Sequence, residues 1–159
     1  AQLFMGMTLE EAVLMGAYNR HKKKKDALPV AHRMIEFVGL SGKLNTKIHR
    51  LNMFERKKAE LAAALASEPE LLLLDELFAG LVPTEVELIL SIVRKVHTEL
   101  HITMFIVEHV LRVIMSLCNK IYVLEYGCLI ASGSPEEVTS NPMVIKAYLG
   151  EDYDVTEHQ

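Results

Sequence analysis

Leu71-Leu72-Leu73-Leu74-Asp75-Glu76 is the stretch on which the fold turns. Four apolar residues are too few for a typical helix, and their flanks resemble strand boundaries. Glu68-Pro69-Glu70 precedes them, and Gly80-Leu81-Val82-Pro83 follows, with three residues between it and Glu76. The run therefore predicts a fully buried strand. A buried strand ending in adjacent acids delivers them to the carboxyl edge of a parallel sheet, where α/β proteins bind ligands. An Asp that holds Mg²⁺ beside a Glu that polarises water is the arrangement nucleotide hydrolysis needs. The alternative is a buried strand with two solvated acids at its tip, and the hexapeptide alone does not choose.

The neighbours extend the pattern. Pro83 sits at the start of a helix carrying Val86, Leu90, Ile92, Val93 and Val96. Ile102 to Val107 predicts a second buried strand, ending in Glu108-His109. A strand–helix–strand unit implies a parallel sheet. If the two strands are neighbours, Asp75-Glu76 and Glu108-His109 lie on one sheet edge. Upstream, residues 54–67 form an Ala/Leu/Glu/Lys helix. Residues 27–38 form another, with Pro29 in its first turn and Gly39 as its stop. Thr8-Leu9-Glu10-Glu11 is a capping box for a helix whose apolar face is Leu9, Val13, Leu14 and Ala17.

Downstream, Ile121 to Leu124 and Cys128 to Ala131 flank Glu125-Tyr126-Gly127 as a hairpin. Ser134-Pro135-Glu136-Glu137 is a second capping box. Asn141-Pro142 opens a last helix ending at Leu149-Gly150, and Glu151 to Gln159 is a polar tail.

The chain has 159 residues, half of them apolar, no Trp and a net charge of −4. This is the profile of a globular domain without the basic footprint of a nucleic-acid binder. Cys118 and Cys128 make neither a metal spacing nor a disulfide framework. No apolar run approaches the ~20 residues of a membrane helix, and no signal peptide is evident at the start. His21-Lys22-Lys23-Lys24-Lys25 reads as a solvated loop, with a basic patch as the alternative. Gly39-Leu40-Ser41-Gly42-Lys43-Leu44 fails as a phosphate loop. Phe37 stands where the first Gly belongs, and Leu44 where the hydroxyl belongs.

In order along the chain, these motifs resemble the ATP-hydrolysing subunit of an ABC transporter. Leu71 to Glu76 resembles the Walker B strand, and Ala79 to Thr84 the D-loop. Ile106-Val107-Glu108-His109 resembles the switch strand with its His. Tyr122 to Gly127 and Ile130 to Val138 are similar to the closing hairpin and helix. Asn141-Pro142 through Glu151 resembles the branched-chain amino acid importer subgroup. The resemblance runs from about Leu3 to Tyr153.

It implies a partial P-loop NTPase-like ABC ATPase domain of the α/β class. Residues 1–67 would form a helical subdomain with the signature region. Residues 68–150 would form the α/β core with parallel strands, hairpin and closing helices, and residues 151–159 the tail. By the same resemblance Asp75 holds the Mg²⁺ shell, Glu76 orients and deprotonates the attacking water, and His109 contacts the γ-phosphate. Gly80, Leu81 and Val82 form the D-loop. Asn52-Met53-Phe54-Glu55 occupy the signature position, where the family usually has Ser-Gly-Gly-Gln. The implied cofactors are ATP and Mg²⁺. The implied partners are a second ATPase subunit and membrane-spanning permease subunits, at the inner face of the cell membrane. No nucleic acid is implied.

The sequence departs from that pattern in two places. No Walker A loop is present, and Gln2 lies too close to Leu3-Phe4 to be the Gln of the Q-loop. The chain is thus expected to represent the C-terminal larger part of the domain and to bind no ATP alone. In the signature position, Met53 and Phe54 place side chains where the family has Gly, and Val82 replaces a polar D-loop residue. Without the phosphate-loop strand, an unpaired sheet edge or apolar face is expected, and with it self-association. Two other readings stay open. One is a non-catalytic ABC-like docking or regulatory module. The other is a metal-dependent hydrolase using His97, His101 and His109.

Overall fold

The structure is a computed structural model and describes residues 5–149. It divides into two compact units, the first ending at Glu108 and the second beginning at His109.

The first unit opens with three helices, α1 (Leu9–Ala17), α2 (Lys24–Phe37) and α3 (Met53–Ala66), which pack on one another. The Thr8 box forms as the sequence predicts: the Glu11 N–H donates to Thr8 Oγ1 at 3.2 Å, and the Thr8 N–H to Glu11 Oε2 at 2.8 Å. α2 begins three residues earlier than expected, so Pro29 is its sixth residue rather than part of its first turn. Lys24, Lys25 and Asp26 are tolerable helix formers, and a ring that early removes only the bond to the Lys25 carbonyl. Gly39, at φ +70°, ends the helix. Its N–H bonds to Glu36 O, and that of Leu40 to Ile35 O, the paired bonds of a Schellman turn.

The alanines of α3 bring these helices close. Ala59, Ala62, Ala63 and Ala66 are buried, as are Leu9, Val13 and Ala17 of α1 and Val30, Met34 and Ile35 of α2. At Gly16 a Cβ would fall on the backbone carbonyl of Ala63, so α1 and α3 touch where one residue has no side chain.

β1 (Leu71–Asp75), α4 (Pro83–Leu100) and β2 (Thr103–Val107) complete the unit. β1 and β2 pair in parallel, with Leu71 opposite Thr103, Leu73 opposite Phe105 and Asp75 opposite Val107. The expectation of fully buried strands is corrected here. Leu72 and Leu74 are buried, but Leu71, Leu73, Phe105 and Val107 are each at least half exposed, Leu73 at 68%. Successive side chains of a strand point to opposite faces, and this two-stranded sheet is packed on one face only.

The second unit holds α5 (Leu111–Leu117), the hairpin β3 (Ile121–Glu125) and β4 (Cys128–Gly133), α6 (Pro135–Thr139) and α7 (Pro142–Leu149). Tyr126 and Gly127 turn the hairpin at φ +47° and +78°, the left-handed pair of a type I′ turn. A bulge follows Val123. Ile121, Val123, Val138 and Val144 form the core, backed by Ile114, Met115, Cys118, Ile130 and Ala131. The polar tail from Glu151, the last-helix stop at Gly150, and Gln2 and Leu3 lie outside the described residues.

Candidate nucleotide site

Asp75 is the last residue of β1, and Glu76 steps out of the strand. Its φ of +46° is left-handed, a conformation that costs an ordinary L-residue roughly 1–2 kcal/mol. The surroundings hold it there. The Glu76 N–H donates to Val107 O at 3.0 Å, fastening the turn to the end of β2. The Phe78 N–H donates to Glu108 Oε1 at 3.0 Å, and the Ala79 N–H to Glu76 O at 3.3 Å. From α3, Lys57 Nζ donates to the same Glu76 carbonyl oxygen at 3.0 Å. Leu77 and Phe78 are buried, which anchors the turn to the core. Both acids are exposed at the carboxyl edge of the parallel pair.

Parallel pairing thus brings Asp75 and Glu76 beside Val107 and Glu108, as the motif order predicts. Glu108 Oε2 is shut from solvent without a hydrogen-bond partner among the described residues, while Oε1 serves the Phe78 N–H. His109 follows Glu108 in the chain, opens the second unit and is exposed.

The Gly80-Leu81-Val82 stretch leads into α4. Gly80 sits at φ +77°, and a Cβ there would lie 2.7 Å from Met53 Sδ. Val82 caps α4, its N–H donating to Glu85 Oε2 at 3.2 Å, with Pro83 at the first helical position. At the signature position, Asn52 is the N-cap of α3. The Glu55 N–H donates to Asn52 Oδ1 at 2.8 Å, and the Asn52 N–H to Glu55 Oε2 at 3.2 Å. Lys43 Nζ also pairs with Glu55, which holds that carboxyl below the usual carboxylate range. Lys58 Nζ lies 5.1 Å from the Phe54 ring centre and donates to Gly39 O at 3.2 Å. Burial pushes the Lys58 ammonium down. Asn52 and Glu55 are therefore engaged with each other, and Met53 with the Gly80 turn.

The three-histidine metal reading fails. His97 lies in the last turn of α4, whereas His101 leaves the helix in left-handed conformation, so the two are not successive-turn ligands. Among the described residues no group of three or more His, Cys, Asp or Glu could hold a metal ion.

Solved structures resemble the fold. The chain is 28% identical to cbiO1 of Clostridium perfringens, part of the ABC transporter complex cbiONQ. That likeness has a TM-score of 0.79 and covers 91% of this chain and 57% of that one. It is 29% identical to MJ1267, an ATP-binding cassette of an ABC transporter solved in its ADP conformation. There the TM-score is 0.81, over 92% of this chain and 64% of that one. The fold is an ABC ATPase domain, in part.

Sequence similarity points the same way. The chain is 30% identical to the high-affinity branched-chain amino acid transport ATP-binding protein LivG of Salmonella typhimurium. It is 31% identical to BraF of Pseudomonas aeruginosa, which has the same description. Each match covers 94% of this chain and 65% of the relative, so the chain spans just under two thirds of their length. Residues 128–154 match the family model described as branched-chain amino acid ATP-binding cassette transporter. Sequence reasoning missed three side chains: Lys43, Lys57 and the accepting role of Glu108. None carries a local signal, since each acts on a residue at least 12 positions away. The Asn52–Glu55 box did carry one, an Asn three residues before a Glu.

Proposed function

We propose that this chain belongs to the ATP-hydrolysing subunit of an ABC importer for branched-chain amino acids. The observation that carries the reading is the adjacent pair Asp75-Glu76 at the carboxyl edge of β1, beside parallel β2. Two exposed carboxylates there suit a hard divalent cation and a polarised water, and their oxygen donors fit Mg²⁺.

In this reading Asp75 would hold Mg²⁺ through its carboxylate, and the ion would supply charge neutralisation for the transferred phosphoryl group. Glu76 would accept a proton from the water that attacks the phosphoryl group, so its orientation on the turn sets the line of approach. His109 donates to a γ-phosphate oxygen. The first N–H groups of α3, at Met53 and Phe54, face a phosphate held by a second ATPase subunit, and Gly80 to Val82 meet that subunit at the D-loop. The partners are that subunit and membrane-spanning permease subunits, with the ATPase on the cytoplasmic face. No helix among the described residues is long and apolar enough to cross a membrane.

The 159 residues contain no Gly-x-x-x-x-Gly-Lys-Ser/Thr. By itself the chain binds no ATP in the low-micromolar range and self-associates through its exposed sheet face.

The test uses the protein expressed from its complete gene with its membrane partners. Glu76→Gln should abolish ATP hydrolysis while ATP binding persists. Unaltered turnover in that variant would remove Glu76 from the mechanism. Robust Mg-ATP turnover by the 159-residue chain alone would overturn the proposed division of the site. The non-catalytic docking reading is favoured by the self-satisfied Asn52–Glu55 cap. It predicts that even the complete protein fails to bind ATP.

A further inference from the structure

Lys57 lies one helical turn after Met53, so the two share a face of α3. That face meets the turn that leaves β1. Met53 Sδ fills the space beside Gly80, and Lys57 Nζ donates to the carbonyl oxygen of Glu76 at 3.0 Å. From the end of β2, Glu108 Oε1 accepts the Phe78 N–H, and Val107 O accepts that of Glu76. The turn is thus held from α3 and from the end of β2 at once. What it holds is a non-glycine residue in left-handed conformation, which persists only where its surroundings over-determine it.

From this juxtaposition we infer that Lys57 and Glu108 are positioning residues for Glu76. They fix its backbone so that its carboxylate meets the attacking water in line. Neither touches substrate; each acts through the Glu76 turn. Lys57 also ties the signature-position helix to the backbone of Glu76 within one subunit, so a shift of α3 moves Glu76. The inference rests on the reading of Glu76 as the proton acceptor. A loosened turn leaves nucleotide binding intact and reduces the fraction of encounters with correct geometry, because misplacement by about 1 Å costs roughly a hundredfold in rate.

Two measurements test it. In the complete protein with its partners, Lys57→Met and Glu108→Leu should each lower kcat by about ten- to a hundredfold with KM for ATP unchanged. Lys57→Arg and Glu108→Gln, which keep a donor and an acceptor, should recover most of that loss. In the 159-residue chain, amide hydrogen exchange should quicken at Phe78 and Ala79 in Lys57→Met and remain unchanged in the α3 core at Leu61 and Leu65. If Glu76→Gln abolishes turnover while Lys57→Met and Glu108→Leu keep wild-type kcat, the inference is overturned and the role of Glu76 stands. If Glu76→Gln keeps full turnover, the reading beneath it falls, and the exchange experiment still reports whether Lys57 holds the turn. Unchanged exchange at Phe78 and Ala79 in Lys57→Met overturns the structural half.

Discussion

The ammonium of Lys43 closes on the carboxylate of Glu55, the residue that completes the cap of α3. The Lys43 hydrogen bond is the main cause of the depressed Glu55 ionisation, with the Asn52 N–H adding to it. A carboxyl whose folded pKa is below its unfolded value of about 4.5 adds stability that is fully present above that value. The contribution is lost as pH falls through the folded pKa. Urea unfolding between pH 7 and pH 3 should therefore show less acid destabilisation in Glu55→Gln than in the parent chain. Equal slopes would mean the pair contributes nothing.

Gly16 sits where α1 meets α3 and has no room for a side chain against the Ala63 carbonyl. Gly16→Val should destabilise the chain by about 1–3 kcal/mol through forced separation of the helices. Thermal unfolding should record a Tm fall of several degrees. An unchanged Tm would show that the two helices can part without cost.

His101 ends α4 at φ +54°, ψ +30°, the conformation that glycine adopts freely. His101→Gly removes this strain, and its gain is offset in part by the greater freedom of glycine in the unfolded chain. The expected net effect is a stabilisation of about 0.5–1 kcal/mol by chemical denaturation. A destabilised variant would point to a contact of the imidazole that outweighs the strain.

Leu71, Leu73, Phe105 and Val107 lie on one exposed sheet face. Contiguous apolar surface of this kind drives association. Light scattering should find the 159-residue chain larger than a monomer, and the double variant Leu73→Lys, Phe105→Lys should shift it toward the monomer. A monodisperse monomer of the parent chain would count against the face as a contact.

Cys128 is exposed, whereas Cys118 is partly covered in the second unit's core and burial pushes its thiol up. The thiolate is the reacting species. Iodoacetamide at neutral pH should therefore modify Cys128 first, as peptide mass mapping would reveal. Faster labelling of Cys118 would mean that the second unit opens on the labelling timescale.

Several features were legible because their physics is local. Thr8-x-x-Glu11 and Ser134-x-x-Glu137 satisfy their own helix ends, and both boxes form. Tyr126-Gly127 supplies the left-handed pair that a tight hairpin needs. The start of α2 was misplaced because Pro29 is tolerated in the second turn as well as the first. The burial of β1 was misjudged because an all-leucine strand shows no alternation of its own. Which face packs depends on what lies across the sheet.

The sequence by itself determined the elements, their order and the placing of Asp75-Glu76 at a strand end, since these follow from short-range periodicity, caps and turns. Tertiary structure alone decided that Glu76 takes a left-handed backbone, that Lys57 and Glu108 hold its turn, and that Lys43 reaches Glu55. These are contacts between residues distant in the chain, and such contacts leave no local pattern. They form because helix packing and parallel strand register bring the partners within hydrogen-bond reach.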